Sequence, residues 1–434
     1  MVNLPIEFSD KAVTPFGGLS LMKRFLDKVG IREYLKSIAL PQPGSNRGFS
    51  PDVIIESFWL SIWTGASRYI HCDWLRYDTV LQQIFGITTM PSQSTYSRFF
   101  NKFSQKLNGE IFPPLQKWFF TQLDFDNITV DFDSTVISRY GSQDGSEKGY
   151  NPNKRGRNSH HPLMAFVSQT KMVANAWLRP GNTAASSNCV AFMRETFDEC
   201  LDDKKVGLVR ADSGFYTEEI MTYLDEQKKN YIIAVRMYPN VKSSVWGISN
   251  WITLAKGIGL SEMKFGHEKG KLRRYIIVKK KVEDRPDSTG KLLFDDLPGY
   301  RFSCYVTNID LPLDQIWNIY NGRADCENRI KELKQDFGLE NFCMQDFWAT
   351  EASFRFIMVA YNLMSLFRYF ALNERNSATM QTLKSYCFAL GAWTVNHSNR
   401  KTLKIALPVK KRPWMEGLLS KIEDHAPPFI YSNA

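Results

Sequence analysis

The chain has 434 residues, 43% of them hydrophobic and 23% charged, which suits two or three domains with real cores and excludes a largely disordered chain or a metal-stapled mini-domain. Lys and Arg outnumber Asp and Glu by 55 to 45, a net charge of +10, so a polyanion such as nucleic acid is the first partner to consider. Seven scattered cysteines without a C-x-x-C pair read as reduced thiols of a cytoplasmic protein rather than as disulfides or zinc ligands. No export leader or membrane span is expected, because the most apolar stretch, 354–372, is broken by Arg355, Asn362 and Arg368.

Residues 1–125 pattern as helices. Ser50-Pro51-Asp52 supplies an N-cap, a first-turn proline and a first-turn acid for a buried helix that stops near Gly65. A second helix is expected from about Cys72 to Phe85, stopping at Gly86, and a third from Ser92. The last two resemble a helix-turn-helix, with Ser94, Tyr96, Ser97, Arg98 and Lys102 on the second member; an ordinary helical hairpin fits equally well.

Near residue 126 the period changes to that of strands. In NITVDFDSTVIS, Val130, Phe132, Ser134 and Val136 alternate with Thr129, Asp131, Asp133 and Thr135. A Gly-, Ser- and Lys-rich loop (Gly141 to Asn158) follows, then strands in PLMAFVSQ and MVANAWL, a helix from about Ser186 to Leu201, the strand KVGLVRAD, a helix from Thr217 to Gln227 and the strand YIIAV. Three strands, helix, strand, helix, strand is the order of a ribonuclease-H-like α/β core. Residues 239–311 read as a β-rich insertion with a basic exposed face (Lys269, Lys271, Arg273, Arg274, Lys279, Lys280, Lys281) and a turn at Arg285-Pro286-Asp287. Helices are expected from Pro312 to the C-terminus, where Arg400, Lys401, Lys404, Lys410, Lys411 and Arg412 form a second basic cluster.

The segment IYNGRADCENRIKELKQDFG carries the most information. On one helix, Tyr320, Arg323, Glu327 and Lys334 fall within an arc of about 60°. Ile319, Cys326, Ile330, Leu333 and Phe337 make the apolar stripe beside it. The bland alternative is a solvated face laced by pairs such as Glu327 with Lys331. Two further acids belong to strands: Asp133, and Asp212 at the carboxyl end of VGLVRA, where α/β folds place ligands. Taken alone, Asp212 in D-S-G reads as a turn or helix cap, and Asp133 as a polar residue on a solvated face. Together the two aspartates and Glu327 form an all-oxygen donor set suited to Mg²⁺ or Mn²⁺ and unsuited to zinc. Two such ions can drive an in-line displacement at phosphorus.

Asp133 in D-S-T, Asp212 in A-D-S-G-F and the Y-x-x-R-x-x-x-E-x-x-x-x-x-x-K spacing met by Tyr320, Arg323, Glu327 and Lys334 resemble the DDE transposases of bacterial insertion sequences that bear the YREK signature, as do GYNPNKRGRNSHHPLMAF and the RPGNT turn. The resemblance covers about residues 50 to 370, with features of the group 1 DDE transposases. It implies a helical DNA-binding region over 1–125, a ribonuclease-H-like catalytic core begun over 126–238, a β-rich insertion over 239–311, the glutamate-bearing core helix within 312–345 and a helical C-terminal region over 346–434. It further implies that Asp133, Asp212 and Glu327 hold two Mg²⁺ or Mn²⁺ ions, with Asp131 as a second-shell or alternate first acid, since the family's acid directly precedes Ser or Thr. Tyr320, Arg323 and Lys334 would grip phosphates beside the cut, and Lys154, Arg155 and Arg157 would hold DNA near it. The substrates would be double-stranded element ends and target DNA, bound by a homodimer. Cleavage would precede joining of the freed 3′-hydroxyl to target, with hairpin ends as one route. Trp246 and Trp251 are candidates to stack on a flipped base, or core residues.

Two other readings compete. V-D-F-D-S-T also resembles the D-x-D-x-T loop of haloacid-dehalogenase phosphatases, with Asp131 as nucleophile and Asp133 as acid/base; that fold usually begins with this strand, whereas about 125 helical residues precede it here. The other is a transposase-derived protein that binds DNA without cutting it.

Overall fold

Period-two alternation and β-branched residues build a large mixed sheet in this computed structural model, which describes residues 3–152, 154–266, 271–281, 300–372, 378–398 and 400–430. Lys269 and the Arg285-Pro286-Asp287 turn lie outside those residues. The chain divides into two compact units, one of 1–112, 121–124 and 331–434, the other of 113–120 and 125–330.

The first unit is built around the helix Phe347–Leu372, whose side chains are almost all buried. Its Arg355, Asn362 and Arg368 sit inside the core, and Arg368 is neutralised by Glu332 at 2.7 Å. Trp59 and Trp63, on the expected helix Pro51–Thr64, donate their indole N–H groups to the carbonyls of Phe356 and Ala360 at 3.0 and 3.3 Å. Gly65 ends that helix in the left-handed region, at φ 108°. The expected second helix is instead three short pieces, Tyr69–Cys72, Asp73–Tyr77 and Thr79–Phe85, because the Asp78 side chain caps a new start at Leu81 N–H. On the helix Gln93–Phe100, Tyr96 is fully buried with its hydroxyl on Ser57, so it is not presented to a groove. The C-terminal region is not wholly helical, since Ala392–His397 and Arg400–Ile405 pair as an antiparallel hairpin.

Among its described residues, the second unit contains nine strands of one sheet: β1 (Ile128–Ser134), β2 (Leu163–Val167), β3 (Met172–Trp177), β4 (Val206–Ala211), β5 (Asn230–Ala234), β6 (Ile252–Ala255), β7 (Ile258–Phe265), β8 (Arg273–Lys281) and β9 (Tyr300–Thr307). Their order across the sheet is β6-β7-β8-β9-β5-β4-β1-β2-β3. β4 and β5 run parallel to β1, while β2 is antiparallel to it. The strand-rich segment after residue 239 therefore extends the main sheet, joined through the antiparallel β9–β5 pair. The helix Leu313–Asn321 covers this extension, with Ile316 and Trp317 buried against Ile232, Ile276 and Tyr305. A separate small sheet of Ile137–Ser138, Glu147–Lys148 and Asn158–His160 occupies the loop expected after β1.

Candidate active site

The parallel register of β1 and β4 pairs Phe132 with Ala211, so the next positions, Asp133 and Asp212, emerge side by side at the carboxyl ends of two strands about 4.8 Å apart. β1 is a central strand covered on both faces, which buries Asp131 and Asp133 alike. The solvated-face alternative for Asp133 is thereby removed.

Each aspartate has its own arginine. Asp131 is held by Arg210, whose Nε and Nη2 donate to its two oxygens at 2.6 and 2.8 Å. Asp133 lies 3.0 Å from the Arg323 guanidinium and accepts from Ser134 N–H at 2.8 Å. Burial pushes the Asp133 carboxyl up to about 6; the Arg323 charge pulls the other way, and the negative charges of Asp212 and Glu327 add to the rise. Asp212 caps the turn Ser213–Phe215 through Gly214 N–H at 2.9 Å and remains half-buried. Its cap role and its electrostatic reach to Asp133 coexist.

The Tyr-Arg-Glu-Lys residues do not share one helix. A helix ends at Asn321, Gly322 and Arg323 form a turn, and a second helix runs from Ala324 to Asp336. Arg210 causes the break: its Nη1 takes the Ile319 carbonyl at 2.6 Å, the group to which Arg323 N–H would bond in a continuous α-helix, and Arg323 N–H turns to the Tyr320 carbonyl instead. Tyr320 consequently closes the first helix, with its hydroxyl 3.4 Å from the Ala211 carbonyl and its ring 4.4 Å from that of Tyr305. Arg323 is buried beneath the strand ends, where it also donates to the Phe132 carbonyl at 3.2 Å. Glu327 is 74% exposed and stands 3.9 Å from Arg323, so its partner is this arginine rather than Lys331. Lys334 pairs with Glu340 at 3.0 Å. The expected apolar stripe holds, with Cys326, Ile330, Leu333 and Phe337 buried and Ile319 partly so.

Lys154, Arg155 and Arg157 are exposed on the loop before Asn158, with Lys154 bonded to the Tyr140 hydroxyl. The basic face expected over 269–281 is partly consumed: Arg273 is buried against Glu218 and Asp225, and Arg274 pairs with Glu262 at 2.8 Å. Trp251 is half-buried beneath Lys279 at 4.1 Å, and Trp246 is exposed.

Several contributors to the site carry little signal in sequence. Arg210 could have been suspected as a lone charge in the apolar run VGLVRA. His161 bonds the Ser134 hydroxyl at 3.2 Å and the Thr183 carbonyl at 2.7 Å, and the Cys326 thiol approaches Asp133 at 3.8 Å; no local pattern marks either contact.

Among the described residues, no three His, Cys, Asp or Glu side chains stand close enough to share a metal ion. The donor set nevertheless suits a hard divalent cation: all its atoms are carboxylate oxygens, and a cation would offset the burial that chiefly raises Asp133 together with the smaller repulsion from Asp212 and Glu327. Arg323 now supplies that positive charge. Among the described residues, no helix is long and apolar enough to cross a membrane.

A family model described as Transposase DDE domain group 1 matches residues 2–427. Among solved structures, the cryo-EM structure of a piggyBac transposase synaptic complex with hairpin DNA is similar at 11% identity and a TM-score of 0.44, covering 87% of this chain and 81% of that one. No curated protein matches significantly.

Proposed function

The chain belongs to the group 1 family of DDE transposases, and from that premise we propose that it cuts DNA at the ends of a bacterial insertion sequence and joins the freed 3′-hydroxyl to target DNA, as a homodimer and with hairpin ends as one route. Asp133, Asp212 and Glu327 are the acids we assign to catalysis. The observations that support the assignment are geometric: Arg323 lies 3.0 Å from Asp133 and 3.9 Å from Glu327, and the parallel pairing of Phe132 with Ala211 sets Asp212 on the strand next to Asp133. Asp131 is set aside as first acid because Arg210 occupies both of its oxygens. The sheet order β5-β4-β1-β2-β3, with its two parallel and two antiparallel neighbours, supports reading 126–238 as the start of a ribonuclease-H-like core. The sheet continuing through β6 to β9 is the reading we give the 239–311 insertion.

The three acids would hold two Mg²⁺ or Mn²⁺ ions, which when bound would activate the attacking oxygen and stabilise the leaving one. Arg323 neutralises Asp133, and we read it as exchanging that carboxylate for a phosphate oxygen when DNA arrives, where a guanidinium makes charge-assisted bonds. Tyr320 fixes the end of its helix against the Ala211 carbonyl, and we assign its hydroxyl to a phosphate contact on the same resemblance. Lys334, Lys154, Arg155 and Arg157 are assigned to phosphate contacts on the same resemblance.

The test incubates the protein with its element's terminal DNA and Mg²⁺. Wild type should nick and join. Asp212→Asn should bind these ends in Ca²⁺ as wild type does, yet lose at least a hundredfold in cleavage, of the order seen when charge stabilisation is removed from an active site. Cleavage that survives the substitution removes Asp212 from the mechanism, and binding without cleavage by wild type favours the non-cutting DNA binder.

A further inference from the structure

Away from the carboxylates, the small sheet and its loops form an open pocket of about 410 Å³ lined by Arg139, Tyr140, Lys148, Arg155 and Arg157, together with Gly141, Gly156 and Asn158. None of the lining residues is acidic, and the volume lies within the range of small-molecule sites. The walls are constructed. Asn151 donates to the Ser138 hydroxyl at 3.1 Å and accepts from Lys154 N–H at 2.9 Å, while Arg139 N–H bonds the Asn158 carbonyl at 2.8 Å. Gly149 is pressed so closely on the Pro180-Gly181 turn that a Cβ would lie 1.9 Å from the Gly181 carbonyl. Behind the cavity the buried Arg139 donates from Nε to His160 Nδ1 at 2.9 Å, which leaves His160 Nε2 to donate to the Asp144 carbonyl at 2.9 Å and fixes the guanidinium in place. At the mouth Tyr140 is 70% exposed, with Lys154 bonded to its hydroxyl and the Arg157 guanidinium over its ring at 5.0 Å from the centroid.

A concave basic wall with an aromatic ring at its lip is poorly matched to a duplex, which offers phosphates on a convex ridge and keeps its base faces stacked. It matches a strand whose base is free, since base-on-aromatic stacking and backbone charge together are how single strands are held. We propose that this cavity takes one unpaired nucleotide of DNA, with the phosphate among Lys148, Arg155 and Arg157 and the base against Tyr140. The assignment rests on the DNA-cutting reading and specifies which DNA form this loop recognises.

Fluorescence anisotropy on the full chain tests it, with a labelled single-stranded dodecamer, an abasic strand of equal length and a blunt duplex. Tyr140→Ala should weaken binding of the base-bearing strand about tenfold, as loss of one stacked base does, leave the abasic strand and the duplex within twofold, and be rescued by Tyr140→Phe. The double substitution Arg155→Gln and Arg157→Gln should weaken both single strands and reduce the salt slope for them by about 1.4, the value for two lost phosphate contacts. Tyr140→Ala without effect, or with equal loss on duplex and single strand, overturns the proposal. Wild type that neither binds nor cuts duplex ends would instead sink the transposase reading, so the two failures are distinguishable.

Discussion

Two aspartates two residues apart on β1 are treated differently by the fold. Asp131 is locked in a buried, two-point pair with Arg210, which in turn bonds Ser168 and the Ile319 carbonyl; removing one partner of such a pair costs about 3–5 kcal/mol. Asp133 has a single arginine contact, and its carboxyl is already pushed up to about 6 by burial. Asp131→Asn should therefore lower the melting temperature sharply, while Asp133→Asn abolishes cleavage with a much smaller shift; a reversed pattern in thermal melts would make Asp131 the first acid. His160 gives a pH prediction. Its imidazole is lowered from 6.5 to about 4, first by burial and then by the Arg139 charge, so protonation favours the unfolded chain. This contribution is complete above pH 6.5 and is lost as pH falls toward 4, on the order of 3 kcal/mol in all. Wild type should lose melting temperature across that window, and His160→Gln, less stable at pH 7, should show a flatter acid limb. An unchanged limb would mean that other groups govern acid sensitivity.

At the scale of elements, the break at Gly322 decides the shape of the site. Alanine in an exposed helical position is ordinarily better than glycine by about 1 kcal/mol. Here a Cβ on Gly322 would lie 2.8 Å from Arg210 Nη1, and Arg210 cannot yield because Asp131, Ser168 and Ile319 all hold it. Gly322→Ala should destabilise by about 1–3 kcal/mol, the usual cost of overpacking, and Arg210→Ala should remove that penalty in a double-mutant cycle; a neutral single substitution would show that Arg210 is free to move. The break could not be read from sequence, because the residue that takes the Ile319 carbonyl sits on β4, far earlier in the chain. What did show in sequence were elements with purely local causes: β1, β2 and β3 by alternation and apolar content, β4 and β5 as short apolar runs, and the helix Pro51–Thr64 between its proline and Gly65. The strands at 392–397 and 400–405 carry no clear period in sequence, because Arg400–Ile405 buries no side chain fully and only Leu403 and Ile405 are partly covered. Likewise the acids of the site were visible as residue types, but Asp131 and Asp133 were separable only once their arginines were placed.

Over the whole molecule, a surplus of +10 is informative only through where the charges are spent. Arg273 is 6% exposed and committed to Glu218 and Asp225, and Arg274 is committed to Glu262, so neither is available to a phosphate without breaking an ion pair. Lys280 and Lys281 at the end of β8, and Arg400, Lys401, Lys410 and Lys411 on the C-terminal elements, are exposed. Affinity for duplex DNA should fall steeply with salt, and each exposed lysine that neutralises a phosphate contributes about 0.9 to the slope of log K against log salt. Replacing Lys280 and Lys281 by Gln should reduce the slope by up to about 1.8 with little change in melting temperature, since exposed substitutions seldom exceed about 0.5 kcal/mol. Arg273→Gln should do the opposite, leaving the slope unchanged and lowering stability through loss of the buried guanidinium's pairs with Glu218 and Asp225. If Arg273→Gln flattens the salt response and the paired lysine substitution does not, then the ion pairs on β8 open on DNA binding and the basic face is larger than its exposed lysines alone.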